Sequence, residues 1–281
     1  YVLNDAFREQ IEEYCFTDLE VNMIRFFVYH DLEPENDNDD PYVLDETQLD
    51  WTRYDSDPNS WRTRYIGEAL QNAFSLSTYG FDHIIGNCNS APAWLKTNGQ
   101  HNDGGTLIAN GESEFSEFLV AFLTGMESRY GIEVTAISPT NEPDYDVSYE
   151  SMNTTPSELS SILINLNARL SNSGLDHINI VSPECFRVES QNSSTSATNY
   201  INSMFNNSAV EEAVDIVGTH TYADPNHNAN WGALKAASNG KPVWVTESAN
   251  LQSTDLSMSD AANYIKWILR GFNEGGVTAY M

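Results

Sequence analysis

Basic residues are scarce. Thirteen lysines and arginines stand against 41 aspartates and glutamates, which leaves a formal charge of −28 and a pI near 4.2. Such a surface repels polyanions, so nucleic acid and anionic membranes are excluded as partners. Long apolar runs are missing too. No stretch of about 18 apolar residues occurs, and no segment reads as a membrane span. Cysteine is limited to Cys15, Cys88 and Cys185, an odd and widely spaced set without a C-x-x-C pair. That spacing excludes a cysteine-ligated zinc site and a disulfide framework. Cys88 and Cys185 fall near the ends of strand-like segments, where a small buried hydrophobe is the expected role. The first strand-like segment is followed by no glycine-rich turn, so the signature of a dinucleotide-binding doubly wound sheet is absent.

What is present suits one large domain. The 281 residues are 40% hydrophobic and 11% aromatic, enough for a packed core on the scale of an α/β barrel. The acidity has two readings: a secreted protein that happens to be acidic, or a surface adapted to high salt, where screening relieves carboxylate repulsion. Lysines are fewer than arginines, which leans toward the second. The chain opens at Tyr1 without an initiator methionine or leader and closes at Met281 inside a strand-like segment. Both ends therefore read as cut, and secretion of a monomeric protein is the expectation.

Strand-like and helix-like segments alternate, which predicts βα units and a parallel sheet. The strands are expected over 21–30, 81–86, 132–139, 178–183, 214–222, 242–247 and 277–281. Between the first two, Trp61, Tyr65, Ile66, Ala69, Leu70, Ala73 and Phe74 recur at helical spacing. Phe115, Phe118, Leu119, Phe122, Leu123 and Met126 do the same before the third strand. The clearest punctuation surrounds the next helix: Thr155 as cap, Pro156 at its first position, Glu158 closing a capping box and Gly174 at its end. Seven strands in this pattern predict a (β/α)₈ TIM barrel that lacks its first strand and is cut within its eighth, a single catalytic domain over residues 1–281.

In such a barrel the chemistry lies where strands end at the C-terminal face. Those positions hold Arg25 and His30, Trp94, Asn141 and Glu142, Glu184, His220 and Tyr222, and Glu247. The set offers carboxylates, aromatics and amides, with no metal-like cluster and no Ser-His-Asp arrangement. Two carboxylates facing each other among aromatics are the apparatus that cleaves a glycosidic bond. One must be protonated to act on the leaving oxygen, and the other ionised to attack the sugar or activate water. Glu142 and Glu247 are the expected pair, with Arg25 as a cation able to hold one of them ionised. No cofactor or metal is expected. The acidic stretch Asp37-Asn38-Asp39-Asp40 lacks the spacing and glycine of a calcium loop and reads as a solvated charge run.

Thr140-Asn141-Glu142-Pro143-Asp144 after one strand and Val245-Thr246-Glu247 three strands later resemble clan A of the glycoside hydrolases. In that clan the acid/base ends strand four and the nucleophile strand seven, the strands Glu142 and Glu247 occupy if the first is missing. Ser90-Ala91-Pro92-Ala93-Trp94-Leu95-Lys96-Thr97-Asn98-Gly99 is similar to the S-x-P-x-x-M-K-x-N-G signature of family 30. Asn141 to Tyr145 with Ser148 to Met152 come nearest its xylan-acting and galactan-acting branches. The resemblance implies a retaining hydrolase of a β-linked plant-type polysaccharide or oligosaccharide. An endo-β-1,4-xylanase is the first reading and a β-1,6-galactanase or β-1,6-glucanase the second; a non-catalytic carbohydrate-binding barrel is the third. It also implies Arg25 beside Glu247. Asn141 is expected on the sugar 2-hydroxyl, and Trp94 either on a sugar ring or under its own loop. Glu184, His220 and Tyr222 either touch the sugar or support the two glutamates, Tyr222 through its hydroxyl. The family's glycine-rich first strand, the aromatic beyond its eighth strand and its side β-sandwich are not found here.

The charge generates a test. The Debye length falls from about 10 Å at 0.1 M salt to about 3 Å at 1 M, so simple screening saturates by then. If the acidity is a salt adaptation, the melting temperature rises from 0.1 to 1 M KCl and continues rising to 3 M. A flat response from the lowest salt upward refutes the adaptation.

Overall fold

The computed structural model describes residues 5–38, 40–55, 66–189, 195–222, 229–249 and 257–281. Its strands are β1 (Met23–Val28), β2 (His83–Cys88), β3 (Ala136–Ser138), β4 (Asn179–Cys185), β5 (Ile216–His220), β6 (Val243–Glu247) and β7 (Val277–Tyr280). Each pairs in parallel with the next in chain order. The helices are α1 (Asp5–Glu13), α2 (Ile66–Leu76), α3 (Glu112–Tyr130), α4 (Pro156–Asn172), α5 (Ala197–Met204), α6 (Ser208–Ala213), α7 (Trp231–Ala237) and α8 (Met258–Gly275). The sheet curls far enough that Arg25 on β1 touches Glu247 on β6. The fold is therefore a (β/α)₈-type barrel with seven strands, as the alternation predicts. Among the described residues no helix is long and apolar enough to cross a membrane.

The central strands β2 to β6 bury both faces, which is why they read as apolar runs without alternation. Outside, Ile84, Ile137, Ile180, Val217, Val243 and Val245 pack with helix residues such as Phe118, Phe122, Leu159 and Leu163. Inside, Met23, Ile85, Ala136, Val181, Ile216, Trp244 and Ala279 form a separate apolar floor. Side chains along a strand repeat every second residue. Two steps beyond the floor, the sequence places Arg25, Asn87, Ser138, Gly218 and Thr246. The barrel is thus oil below and polar above, and the polar layer lies on the C-terminal side.

Several boundaries differ from the sequence expectation. The 132–139 segment yields only three residues of strand, because the Thr135 side chain takes the Ile84 amide at 2.9 Å in place of a ladder bond. β4 runs past Pro183 to include Glu184 and Cys185. His30 starts a 3₁₀ turn instead of ending β1. The capping box at Thr155 and Glu158 is formed, with Pro156 in the first turn and Gly174 left-handed at φ +72° beyond the last. Trp61 and Tyr65 of the expected first crossover helix lie outside the described residues. Cys88 and Cys185 are buried free thiols, as expected.

Gly125 within α3 sets two effects against each other. Alanine there would gain about 1 kcal/mol of helix propensity. A Cβ, however, would lie 2.0 Å from the Trp51 ring, itself wedged between Tyr54 and Tyr130. Overpacking costs about 1–3 kcal/mol or more, so Gly125→Ala is expected to destabilise the chain by about 1–2 kcal/mol in urea unfolding. Unchanged or increased stability would show that the indole can yield.

Candidate active site

Six of the seven strands, or the turns just beyond them, deliver polar groups to one point. Glu142 follows β3 in the left-handed region at φ +46°, and its amide donates to the Glu184 carbonyl at 2.8 Å. Glu184 is left-handed as well, at φ +61°, where the β4–β5 register slips between Pro183 and Cys185. A bulge of this kind re-aims a side chain, and backbone strain of this kind concentrates at functional sites. The room Glu184 occupies is left by Gly218 on β5: a Cβ there would sit 2.1 Å from Glu184 Oε1. A second register slip brings His220 opposite Glu247.

These side chains form one network. The Arg25 guanidinium donates to Glu247 Oε1, to Asn141 Oδ1 at 2.7 Å and to Glu184 Oε2 at 3.3 Å. His220 lies between two carboxylates, with Nδ1 2.8 Å from Glu142 Oε1 and Nε2 3.0 Å from Glu184 Oε2. Thr246 donates to that same Glu184 oxygen at 2.6 Å. The Tyr222 hydroxyl donates to Glu247 Oε2 at 2.6 Å. One oxygen of Glu142, one of Glu247 and a ring nitrogen of His220 all lie within 4.8 Å of one another.

Burial sorts the members. Glu184 and His220 have no solvent exposure, Glu142 has 6% and the Glu247 side chain 24%. Burial alone would raise the Glu184 carboxyl, but the hydrogen bond from His220 and the charge of Arg25 outweigh it and hold it below the usual range. Burial alone would likewise favour neutral His220. Its bonds to Glu142 and Glu184, with the charges of Glu184 and Glu247, prevail and push it up to about 9. His220 is thus an imidazolium donating from both nitrogens. A metal ligand must be neutral imidazole, so the Glu142–His220–Glu247 trio, with Arg25 beside it, does not fit a cation.

The sequence model of glycosyl hydrolase family 59 matches residues 84–281, all of this site except Arg25. The chain belongs to that family. Solved structures carry the same fold at low identity. SrfJ from Salmonella typhimurium superposes with a TM-score of 0.78 at 17% identity, over 97% of this chain and 58% of its own. A family 30 subfamily 8 xylanase from Clostridium acetobutylicum gives 0.69 at 21%, over 99% and 60%. An endo-β-1,6-glucanase gives 0.75 at 13%, over 99% and 61%. The chain thus spans about three fifths of the length of each. The motifs point to family 30, whereas the matching family is 59; what this chain shares with the family 30 xylanase is the barrel fold.

Of the nine residues singled out in the sequence, seven meet in this site; His30 instead stacks on His101 at 4.0 Å, and Trp94 stands apart. Its indole N–H donates to the Glu33 carbonyl at 3.0 Å and its ring packs against the core beneath its loop. Glu184 and His220, open in the sequence between sugar contact and support, are fully buried, and His220 bridges Glu142 and Glu184. Sequence reading missed Asn87, which is buried on β2 and donates to Asn89 at 2.7 Å and weakly to Asn141 at 3.4 Å. An amide inside His83-Ile84-Ile85-Gly86-Asn87-Cys88 was the available signal. It also missed the wall beside Glu142, where Tyr145 and Phe186 stack at 4.3 Å and Phe186 adjoins Tyr222 at 5.7 Å.

The electrostatics make a measurable claim. With its pKa raised from 6.5 to about 9, His220 contributes stability that is complete below about 6.5 and drains away as pH rises through about 9. Glu184, depressed, contributes above its ordinary value and loses that contribution in acid. Imidazole ¹⁵N spectra should show both His220 nitrogens protonated at pH 7.5, and Glu184→Gln should lower the titration midpoint. A neutral His220 at pH 7.5 would contradict the network.

Proposed function

We propose that the protein is a retaining glycoside hydrolase with Glu247 as nucleophile and Glu142 as general acid/base. The observation that carries this reading is the approach of the two carboxylates, with oxygens within 4.8 Å. Retaining enzymes hold the pair about 5–5.5 Å apart, whereas inverting ones leave about 6.5–9.5 Å for a water. Both Glu247 oxygens are oriented, one by Arg25 and one by Tyr222, as a nucleophile that must attack along one line requires. Glu142 is anchored through Oε1 alone, leaving Oε2 without a protein partner among the described residues to carry the transferred proton.

In the first step Glu247 attacks the anomeric carbon, Glu142 protonates the departing oxygen, and a glycosyl ester forms on Glu247. In the second, Glu142 takes a proton from water, which attacks the same carbon and releases Glu247. The Asn141 carbonyl oxygen accepts from Arg25 and Asn87, which turns its amide N–H groups outward to donate to a sugar hydroxyl. The Tyr145–Phe186–Tyr222 wall supplies apolar faces for a sugar ring.

For substrate we propose a β-linked polysaccharide or oligosaccharide outside the cell, with the β-1,4-xylan backbone first, in line with the xylanase relative. A β-1,6-glucan or β-1,6-galactan is the second reading, favoured by the higher superposition on the glucanase. Reducing-sugar release from xylan, β-1,6-glucan and β-1,6-galactan separates them, and binding without release would mean a carbohydrate-binding barrel. Glu142→Gln should lose about 10²–10⁴-fold on unactivated substrates and keep a burst of leaving group from activated aryl glycosides. Glu247→Gln should abolish that burst. First-formed product of inverted anomeric configuration by ¹H NMR would sink the retaining assignment.

A further inference from the structure

A second carboxylate cluster lies away from the barrel mouth. Glu33, just beyond the 3₁₀ turn that follows β1, and Asp37 in the same loop meet Glu117, which comes from the middle of α3. One carboxylate oxygen from each lies within 4.8 Å of the other two. Glu33 and Glu117 are each only 1% exposed. Both Glu117 oxygens, Glu33 Oε2 and Asp37 Oδ1 are buried without a hydrogen-bond partner among the described residues. The other Glu33 oxygen accepts from the Asp37 amide at 3.3 Å, and the other Asp37 oxygen from the Asp45 amide at 2.5 Å. No hydrogen bond links the three side chains to one another. Three clustered carboxylates with four unpartnered, desolvated oxygens call for a cation, since an unpaired buried carboxylate is among the most costly groups a fold can hold.

The donor set chooses the ion. Ca²⁺ takes about six to eight oxygen ligands, carboxylates bound through one or both oxygens among them, in a flexible geometry. Mg²⁺ demands a near-ideal octahedron and prefers to keep its own water. An all-carboxylate set drawn from a loop and a helix, with both Glu117 oxygens unengaged, matches the former. Burial, then the charge of Glu117, pushes Glu33 up to about 8; burial, then the charges of Asp37 and Glu114, pushes Glu117 up to about 7. Arg169 acts in the opposite direction on Glu117 but forms no ion pair with it. We propose that Glu33, Asp37 and Glu117 form a Ca²⁺ site that pins the loop after β1 to α3. The same loop carries the Glu33 carbonyl that holds Trp94, so the ion braces the floor on which Trp94 rests. The site is independent of the hydrolase reading, for none of its ligands touches Glu142 or Glu247.

CaCl₂ titrated calorimetrically into the chelator-treated full chain in 0.5 M NaCl tests it, the salt suppressing diffuse binding to the acidic surface. One saturable site per chain is expected, with Kd of about 10⁻⁵–10⁻³ M, and a higher thermal midpoint in Ca²⁺ than in EGTA. Glu117→Gln, and separately Asp37→Asn in the loop, should each weaken binding at least tenfold. Glu127→Gln, on the exposed face of the same helix, should leave it unchanged. Should Glu117→Gln fail to fold, Asp37→Asn and wild type carry the comparison. The proposal is overturned by absence of saturable binding, by equal affinity for Mg²⁺, or by undiminished affinity in Asp37→Asn.

Discussion

Glu184 is a carboxylate with no access to water, and most of the barrel mouth is arranged around making it tolerable. A buried carboxylate survives only where cations and donors replace its lost hydration. Here Arg25, His220 and Thr246 converge on one of its oxygens, and two of these also hold the other two glutamates: Arg25 binds Glu247, and His220 binds Glu142. The buried charge thus fixes its neighbours, and its neighbours fix the Glu142–Glu247 pair. An apolar residue in its place would leave both cations to be shared by the two glutamates alone.

The backbone is shaped to the same end. Two glutamates take left-handed conformations that their side chains do not favour, and the amide of one is tied to the carbonyl of the other. Gly218 contributes by having no side chain, and two register slips turn inward what strict alternation would have turned out. Such strain needs surroundings that over-determine it. The apolar floor from Met23 to Trp244 supplies them, since a close-packed layer transmits little give to the polar layer it carries.

Much of this was legible in the sequence. The alternation of apolar runs yields seven parallel strands in order, and Asn141-Glu142-Pro143 and Val245-Thr246-Glu247 at strand ends mark the pair, because strand-end position is a one-dimensional property. What could not be read depends on partners supplied by other strands. His220 looks the same in sequence whether it meets one carboxylate or two, and Gly218 looks like any strand glycine until Glu184 fills the space beside it. Glu117 falls within an amphipathic helix that tolerates a glutamate anywhere on its outer face; only the fold turns it inward toward Glu33. Trp94 was open between two roles because its indole partner is a backbone carbonyl, which no side-chain pattern reveals.

The bond between Arg25 and Glu247 joins residues 222 apart in sequence, while every strand pairs with its immediate successor. The sheet can therefore grow in chain order, each new strand finding its edge already formed across a crossover far shorter than the span from Arg25 to Glu247. The charges do not assemble so gradually. Until β6 is laid down, Arg25 lacks Glu247, and until β5 arrives Glu184 lacks His220. A partly built barrel would bury carboxylates short of their cations, a state that is poorly populated because burial without pairing is so unfavourable. The polar layer thus makes strand-by-strand accumulation unfavourable and rewards completion of the barrel as a unit.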